Sequence, residues 1–121
     1  MLNWLHVQGK IPDSYHFQRA ASYGYNNILD WFYKNYKQII STIAFEHAAY
    51  NGRLNSVQWF FDYYSEKITT SVLYTAFKSA LKNKHYHCTD FLYYKFCKYP
   101  TTKIEKEIYK DLYEYIPTNI K

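Results

Sequence analysis

Residues 45–60 read FEHAAYNGRLNSVQWF. Phe45, Ala48 and Ala49 stand at i, i+3 and i+4, the spacing of one face of a helix. Asn51-Gly52 interrupts that pattern, and glycine here suits the left-handed residue that ends a helix. Asn55 is the expected N-cap of a second helix, whose apolar face is Val57, Phe60 and Phe61, widened by Trp59. The stretch therefore predicts two short helices joined by a tight turn.

The same plan occurs three times. FQRAASYGYNNILDWF begins at Phe17, 28 residues earlier, and FKSALKNKHYHCTDFL at Phe77, 32 residues later. Phe17, Phe45 and Phe77 align, as do Ala20-Ala21, Ala48-Ala49 and Ala80-Leu81, and then Trp31, Trp59 and Phe91. Self-similarity at this period is the signature of helical hairpins stacked into a solenoid. The small pairs have a physical reason, since neighbouring helices approach closely only where one presents alanine or glycine. Bulk at Ala20 or Ala48 is expected to force the stack apart at a cost of about 1–3 kcal/mol.

The repeats are not identical. Asn26 or Asn27 is the expected cap of the second helix in the first repeat. In the third, Lys84 replaces Gly24 and Gly52. A left-handed lysine costs on the order of 1 kcal/mol, so a rearranged turn is predicted there, with Asn83 left-handed instead. Between repeats, Ser65-Glu66-Lys67 and Thr69-Thr70-Ser71 suit loops. Leu2, Trp4 and Leu5 read as the end of a second helix, so the chain opens on half a repeat, which also fits a terminal piece of a longer array. Pro100-Thr101-Thr102 breaks the pattern at the other end. Thr102 and Glu105 have capping-box spacing, and Ile104, Ile108, Leu112 and Tyr115 form the apolar stripe of a terminal capping helix.

The expected fold is therefore all-α: a helical-hairpin solenoid of three repeats in one domain over 1–121. The half repeat spans 1–10, the repeats 14–36, 42–64 and 74–97, and the C-terminal capping helix 102–116.

Composition agrees with one compact helical unit. The chain has 121 residues, 48% hydrophobic, with 3 Gly and 3 Pro, which argues against a turn-rich β sandwich. It carries 16 Tyr, a residue favoured at contact surfaces and also raised by AT-rich coding. Of the net charge of +5, most lies in the third repeat: Lys78, Lys82, Lys84, Lys95 and Lys98 face only Asp90 within residues 78–98. Such a patch suits nucleic acid or an acidic partner, and equally a solvated helix face. Two cysteines, Cys88 and Cys97, do not make a disulfide framework, and reduced thiols suggest an intracellular, cytoplasmic setting. No stretch is long and apolar enough for a signal peptide or a membrane span.

The segments Ala48–Phe60 and Ala20–Gly24 resemble the Ala-Ala-x-x-Gly-x-Leu-x-x-Val-x-x-Leu core of a divergent ankyrin-repeat array, over roughly residues 1–97. The style is similar to ankyrin proteins of large DNA viruses and AT-rich protists. The family's Thr-Pro-Leu-His opening is absent; its positions hold Tyr15-His16-Phe17-Gln18, Ile43-Ala44-Phe45-Glu46 and Thr75-Ala76-Phe77-Lys78. The resemblance thus carries helix–turn–helix stacking and leaves the β-hairpin fingers open, with a related α-hairpin solenoid as the alternative.

The resemblance implies a non-catalytic scaffold that binds a protein partner on its concave face. The inner-helix positions not used for packing are Arg19, Ser22 and Tyr23; His47, Tyr50 and Asn51; and Ser79, Lys82 and Asn83. Tyr50 is the expected anchor. The alternative is nucleic-acid binding through Lys78, Lys82, Lys84, His85 and Tyr86, with affinity falling steeply with salt. The half repeat offers a surface for self-association.

No enzyme, cofactor or metal site is expected. His85, His87, Cys88 and Cys97 lack the ligand spacing of a zinc finger. Asp13, Ser14 and His16 are merely adjacent in sequence, which does not make a triad. No glycine-rich phosphate loop is present. Trp4, Trp31 and Trp59 recur at repeat spacing and are read as packing residues.

Overall fold

The computed structural model describes residues 14–37, 40–98, 109–115 and 117. All regular structure among them is helical. Three hairpins follow one another: α1 (Ser14–Tyr23) with α2 (Asn26–Asn35), α3 (Thr42–Tyr50) with α4 (Leu54–Tyr64), and α5 (Thr70–Lys82) with α6 (Tyr86–Phe96). A short α7 (Lys110–Glu114) closes the described chain. The first helices pack on one another in chain order, α1 on α3 and α3 on α5, while the second helices touch more sparsely. The half repeat over 1–10, the Thr102–Glu105 capping box, and Ile104 and Ile108 lie outside the described residues.

Each hairpin turns by the same device. Gly24, Gly52 and Lys84 have φ of 77°, 72° and 60°. The left-handed residue donates its N–H three residues back, to Ala21, Ala49 or Leu81. The next residue donates five back, to Ala20, Ala48 or Ala80. This pair of bonds is the Schellman arrangement, which satisfies carbonyls that a helix end leaves open. The third turn is therefore not rearranged: Lys84 itself is left-handed, and Asn83, at φ −93°, is not. Gly24 and Gly52 each lie beneath the next hairpin, whereas the Lys84 side chain is exposed. A Cβ would clash with the His85 ring at Gly52, would press more lightly on the Asn55 tip at Gly24, and is carried without obstruction in the third turn.

Asn26, Asn27 and Asn55 are not N-caps. Tyr25, Arg53 and His85 hold the N-cap positions of α2, α4 and α6, and none caps with its side chain. Asn26, Asn27 and Asn55 lie inside the helices. Asn26 and Asn55 bond between hairpins instead. Asn26 Nδ2 donates to the Asn55 carbonyl at 3.0 Å, and Asn55 Nδ2 to the Gly24 carbonyl at 2.7 Å. Ser56, fully buried, donates to Asn26 Oδ1 at 2.9 Å. A buried hydroxyl needs such a partner, because an unmet one costs about 1–3 kcal/mol.

The core is the predicted one. Phe17, Phe45 and Phe77 are fully buried, as are Ala21, Ala48, Ala49 and Ala80, with Ala20 nearly so. Phe60 stands edge-on to both Phe17 (5.9 Å) and Phe45 (5.6 Å), and so ties two hairpins together. Each such ring contributes roughly 2–3 kcal/mol by leaving water. α3 buries Ala44 and Ala48 as well as Phe45 and Ala49 because it lies between α1 and α5. Trp59 is buried and donates from Nε1 to Asp30 Oδ1 at 2.7 Å; Trp31 and Phe91 are half-buried against the core.

Two loop expectations change. Ser65–Lys67 is a 3-10 turn continuing from α4. Thr69 caps α5, its Oγ1 accepting from Val72 N at 3.3 Å, so Thr70 and Ser71 are helical and α5 begins ahead of the expected boundary at 74. A threonine in extended backbone before an apolar run is a strong N-cap. At the far end, Leu112 is fully buried and the Tyr115 ring meets Phe77 edge-on at 5.2 Å. Tyr74 bonds to Asp111 at 3.2 Å, and the Tyr115 hydroxyl donates to Asp90. This segment packs against the third hairpin.

Candidate functional site

The exposed sides of α1, α3 and α5 carry two adjoining grooves. The first has a volume of about 260 Å³ and takes Arg19, Ser22 and Tyr23 from α1 together with His47 and Asn51. The second, of about 340 Å³, takes His47, Tyr50 and Asn51 with Ser79 of α5. His47 and Asn51 line both, so the grooves meet along α3. Seven of the nine residues expected on the partner-binding face thus line one surface. Lys82 and Asn83 line neither groove; Lys82 is exposed at the end of α5.

The asparagines have structural work to do. Asn51 Nδ2 donates to the His47 carbonyl at 2.8 Å, and Asn83 Nδ2 to the Ser79 carbonyl at 2.9 Å. Each adds a second bond to a carbonyl near its helix's C-terminus that already accepts the asparagine's own backbone N–H. Tyr50, by contrast, is 54% exposed, with an apolar ring in water at the end of α3.

The first groove is built around a clamped arginine. Arg19 stands one turn from Tyr15 and one turn from Tyr23 on α1, so both rings flank it. Its guanidinium carbon lies 5.6 Å and 5.4 Å from the two ring centroids. Nη1 donates to the Tyr15 hydroxyl at 2.8 Å and Nη2 to the Tyr23 hydroxyl at 3.3 Å. These bonds, the Tyr15 one foremost, hold the guanidinium even more firmly protonated than usual.

A second arginine enters from the next hairpin. Arg53 Nε donates to the Ser22 carbonyl at 3.1 Å. Its Cδ lies 3.4 Å from where a Cβ on Gly24 would stand, so its stem lies across the glycine. Gln18 and Tyr15 complete the wall. Glu46, half-buried at the second groove, has its carboxyl raised above the usual range by burial. Sequence reasoning missed Tyr15 and Arg53. Tyr15 was legible from its spacing to Arg19. Arg53 had no local signal, because its contact spans 31 residues.

The basic group of the third hairpin runs along α5 and into the turn that follows it. Lys78 and Lys82 are one turn apart on α5, Lys84 is in the turn, and Tyr86 opens α6. Lys78 Nζ rests 5.2 Å from the Tyr74 ring centroid. The His85 ring covers Gly52. Cys88 is buried, its thiol pushed up to about 11 by burial, and Cys97 is exposed. Among the described residues no cluster of His, Cys, Asp or Glu is arranged to hold a metal ion, and no helix is long and apolar enough to cross a membrane.

Comparison with protein-family models, curated proteins and solved structures returns no match for this chain.

Proposed function

We propose that this chain is a short ankyrin-like stack of helical hairpins acting as a non-catalytic scaffold. It binds a protein partner along the exposed side of its first helices. The observation that carries this reading is the pair of adjoining grooves over α1, α3 and α5, lined by polar and tyrosyl side chains while the apolar faces turn inward. Repeats of this kind give a surface whose backbone is held by stacking, so binding there costs little ordering. Tyrosine adds contact area on a side chain with few rotors.

Affinity capture from source-cell lysate, at physiological and high salt, tests this reading. Tyr50→Ala is compared with Tyr63→Ala, a tyrosine 44% exposed on α4, away from the grooves. A protein retained at both salts, lost with Tyr50→Ala and kept with Tyr63→Ala, supports the scaffold. Nucleic acid recovered only at low salt and lost with Lys82→Glu supports the alternative through Lys78, Lys82, Lys84, His85 and Tyr86.

A further inference from the structure

We propose that the groove between Arg19 and Arg53 receives an acidic, carboxylate-bearing peptide segment of the partner. This rests on the scaffold reading above and names the chemistry of its ligand.

Among the described residues, the groove's lining includes the cations Arg19 and Arg53 and no aspartate or glutamate. A groove lined by one sign of charge concentrates ligands of the other. Both guanidinium groups already hold hydrogen bonds within the chain. Arg19 is flanked by Tyr15 and Tyr23, which accept from its two terminal nitrogens. Arg53 is pinned by Nε on the Ser22 carbonyl, with its stem across Gly24. A free arginine loses much rotamer freedom when it grips an anion; these bonds reduce that loss.

The tyrosines also turn chemistry outward. Each hydroxyl accepts from Arg19 and keeps its own proton to donate. The floor therefore offers guanidinium edges beside phenolic O–H donors, and no carboxylate to accept in return. A carboxylate accepts from all of these and donates to none, which makes it the complement of the site. The two arginines come from different hairpins, so the site exists only where the first hairpin stacks on the second.

A randomised dodecapeptide display selection against the full chain, counter-selected on Arg19→Gln/Arg53→Gln, tests the proposal. Enriched peptides should carry paired Asp or Glu. In anisotropy titrations of one enriched peptide, each single Gln variant should raise Kd about threefold to tenfold, the range for a charge-assisted bond on an open surface. Arg19→Lys, which keeps charge without the fork, should fall between. Lys34→Gln removes one charge on α2 and should leave Kd unchanged. Circular dichroism establishes that each variant is folded. Enrichment of neutral or basic peptides, or equal binding to wild type and the double variant, overturns the proposal, as does no enrichment at all. Neutral peptides lost with Tyr50→Ala would leave the scaffold standing without the acidic preference. Peptides indifferent to Tyr50 and both arginines would remove both. A phosphoserine version that binds more tightly than its glutamate counterpart would reassign the ligand to a phosphorylated segment.

Discussion

Replacing Gly52 by alanine tests how the hairpins are joined. Gly52 has φ 72°, where a Cβ costs about 1 kcal/mol or somewhat more. The added Cβ also meets the His85 ring, with Nδ1, Cγ and Cε1 only 2.5, 2.7 and 2.9 Å away. With all three atoms too close, the ring must leave its seat. Displacing packed atoms in this way costs about 1–2 kcal/mol further, giving roughly 2–3 kcal/mol in total. Gly24→Ala has the same backbone cost, but its Cβ meets the tip of Asn55 at 3.1 Å, a contact that a shift of a few tenths of an ångström relieves. It should cost about 1 kcal/mol more than wild type, mainly the backbone term. Urea unfolding followed by far-ultraviolet circular dichroism and tryptophan fluorescence measures both. In the His85→Ala background, Gly52→Ala should lose its clash and retain only the backbone term, a coupling of about 1–2 kcal/mol. Equal costs for the two alanines, or an additive cycle, would refute the seating of His85 on Gly52.

Three further outcomes follow from the same contacts. Lys84→Gly relieves the one left-handed side chain among the described residues and should raise stability by up to about 1 kcal/mol; a loss would show that Lys84 makes a contact worth more than its strain. Ala48→Leu, fully buried on α3, should destabilise by about 1–3 kcal/mol, whereas Glu46→Gln on the same helix should be nearly neutral at pH 7; similar effects would contradict the close approach of α1, α3 and α5. The buried Cys88 thiol, at about 11, binds its proton more tightly than an unfolded cysteine near pH 8.5. Its contribution to stability is therefore complete below about pH 8.5 and lost as pH rises toward 11. Tyr115, raised by burial and by its bond to Asp90, acts in the same direction at higher pH. Stability should fall less steeply between about pH 8.5 and 10 in Cys88→Ala than in wild type; identical slopes would show that the thiol is not the group responsible.

The repeat, the all-helical class and most of the core were fixed by residue pattern alone. Periodic Phe17, Phe45 and Phe77, the alanine pairs and the interrupting glycines are local signals, and local spacing determines which side of a short helix turns inward. The grooved side was largely legible for the same reason: what the core does not use on α1, α3 and α5 must face out. Where the reading failed, the deciding interaction crossed between hairpins. Asn26 and Asn55 have the chemistry of caps, yet their bonds run to each other and to Gly24 across 29 and 31 residues. Lys84 was expected to avoid a left-handed backbone, but the Schellman bonds recur in the third turn and the side chain points to open solvent. The clamp that carries the proposed acidic specificity divides in the same way. The Tyr15–Arg19–Tyr23 half is written in i, i+4 spacing, while Arg53 joins it only when the second hairpin stacks on the first, because that contact depends on distance in space and not along the chain.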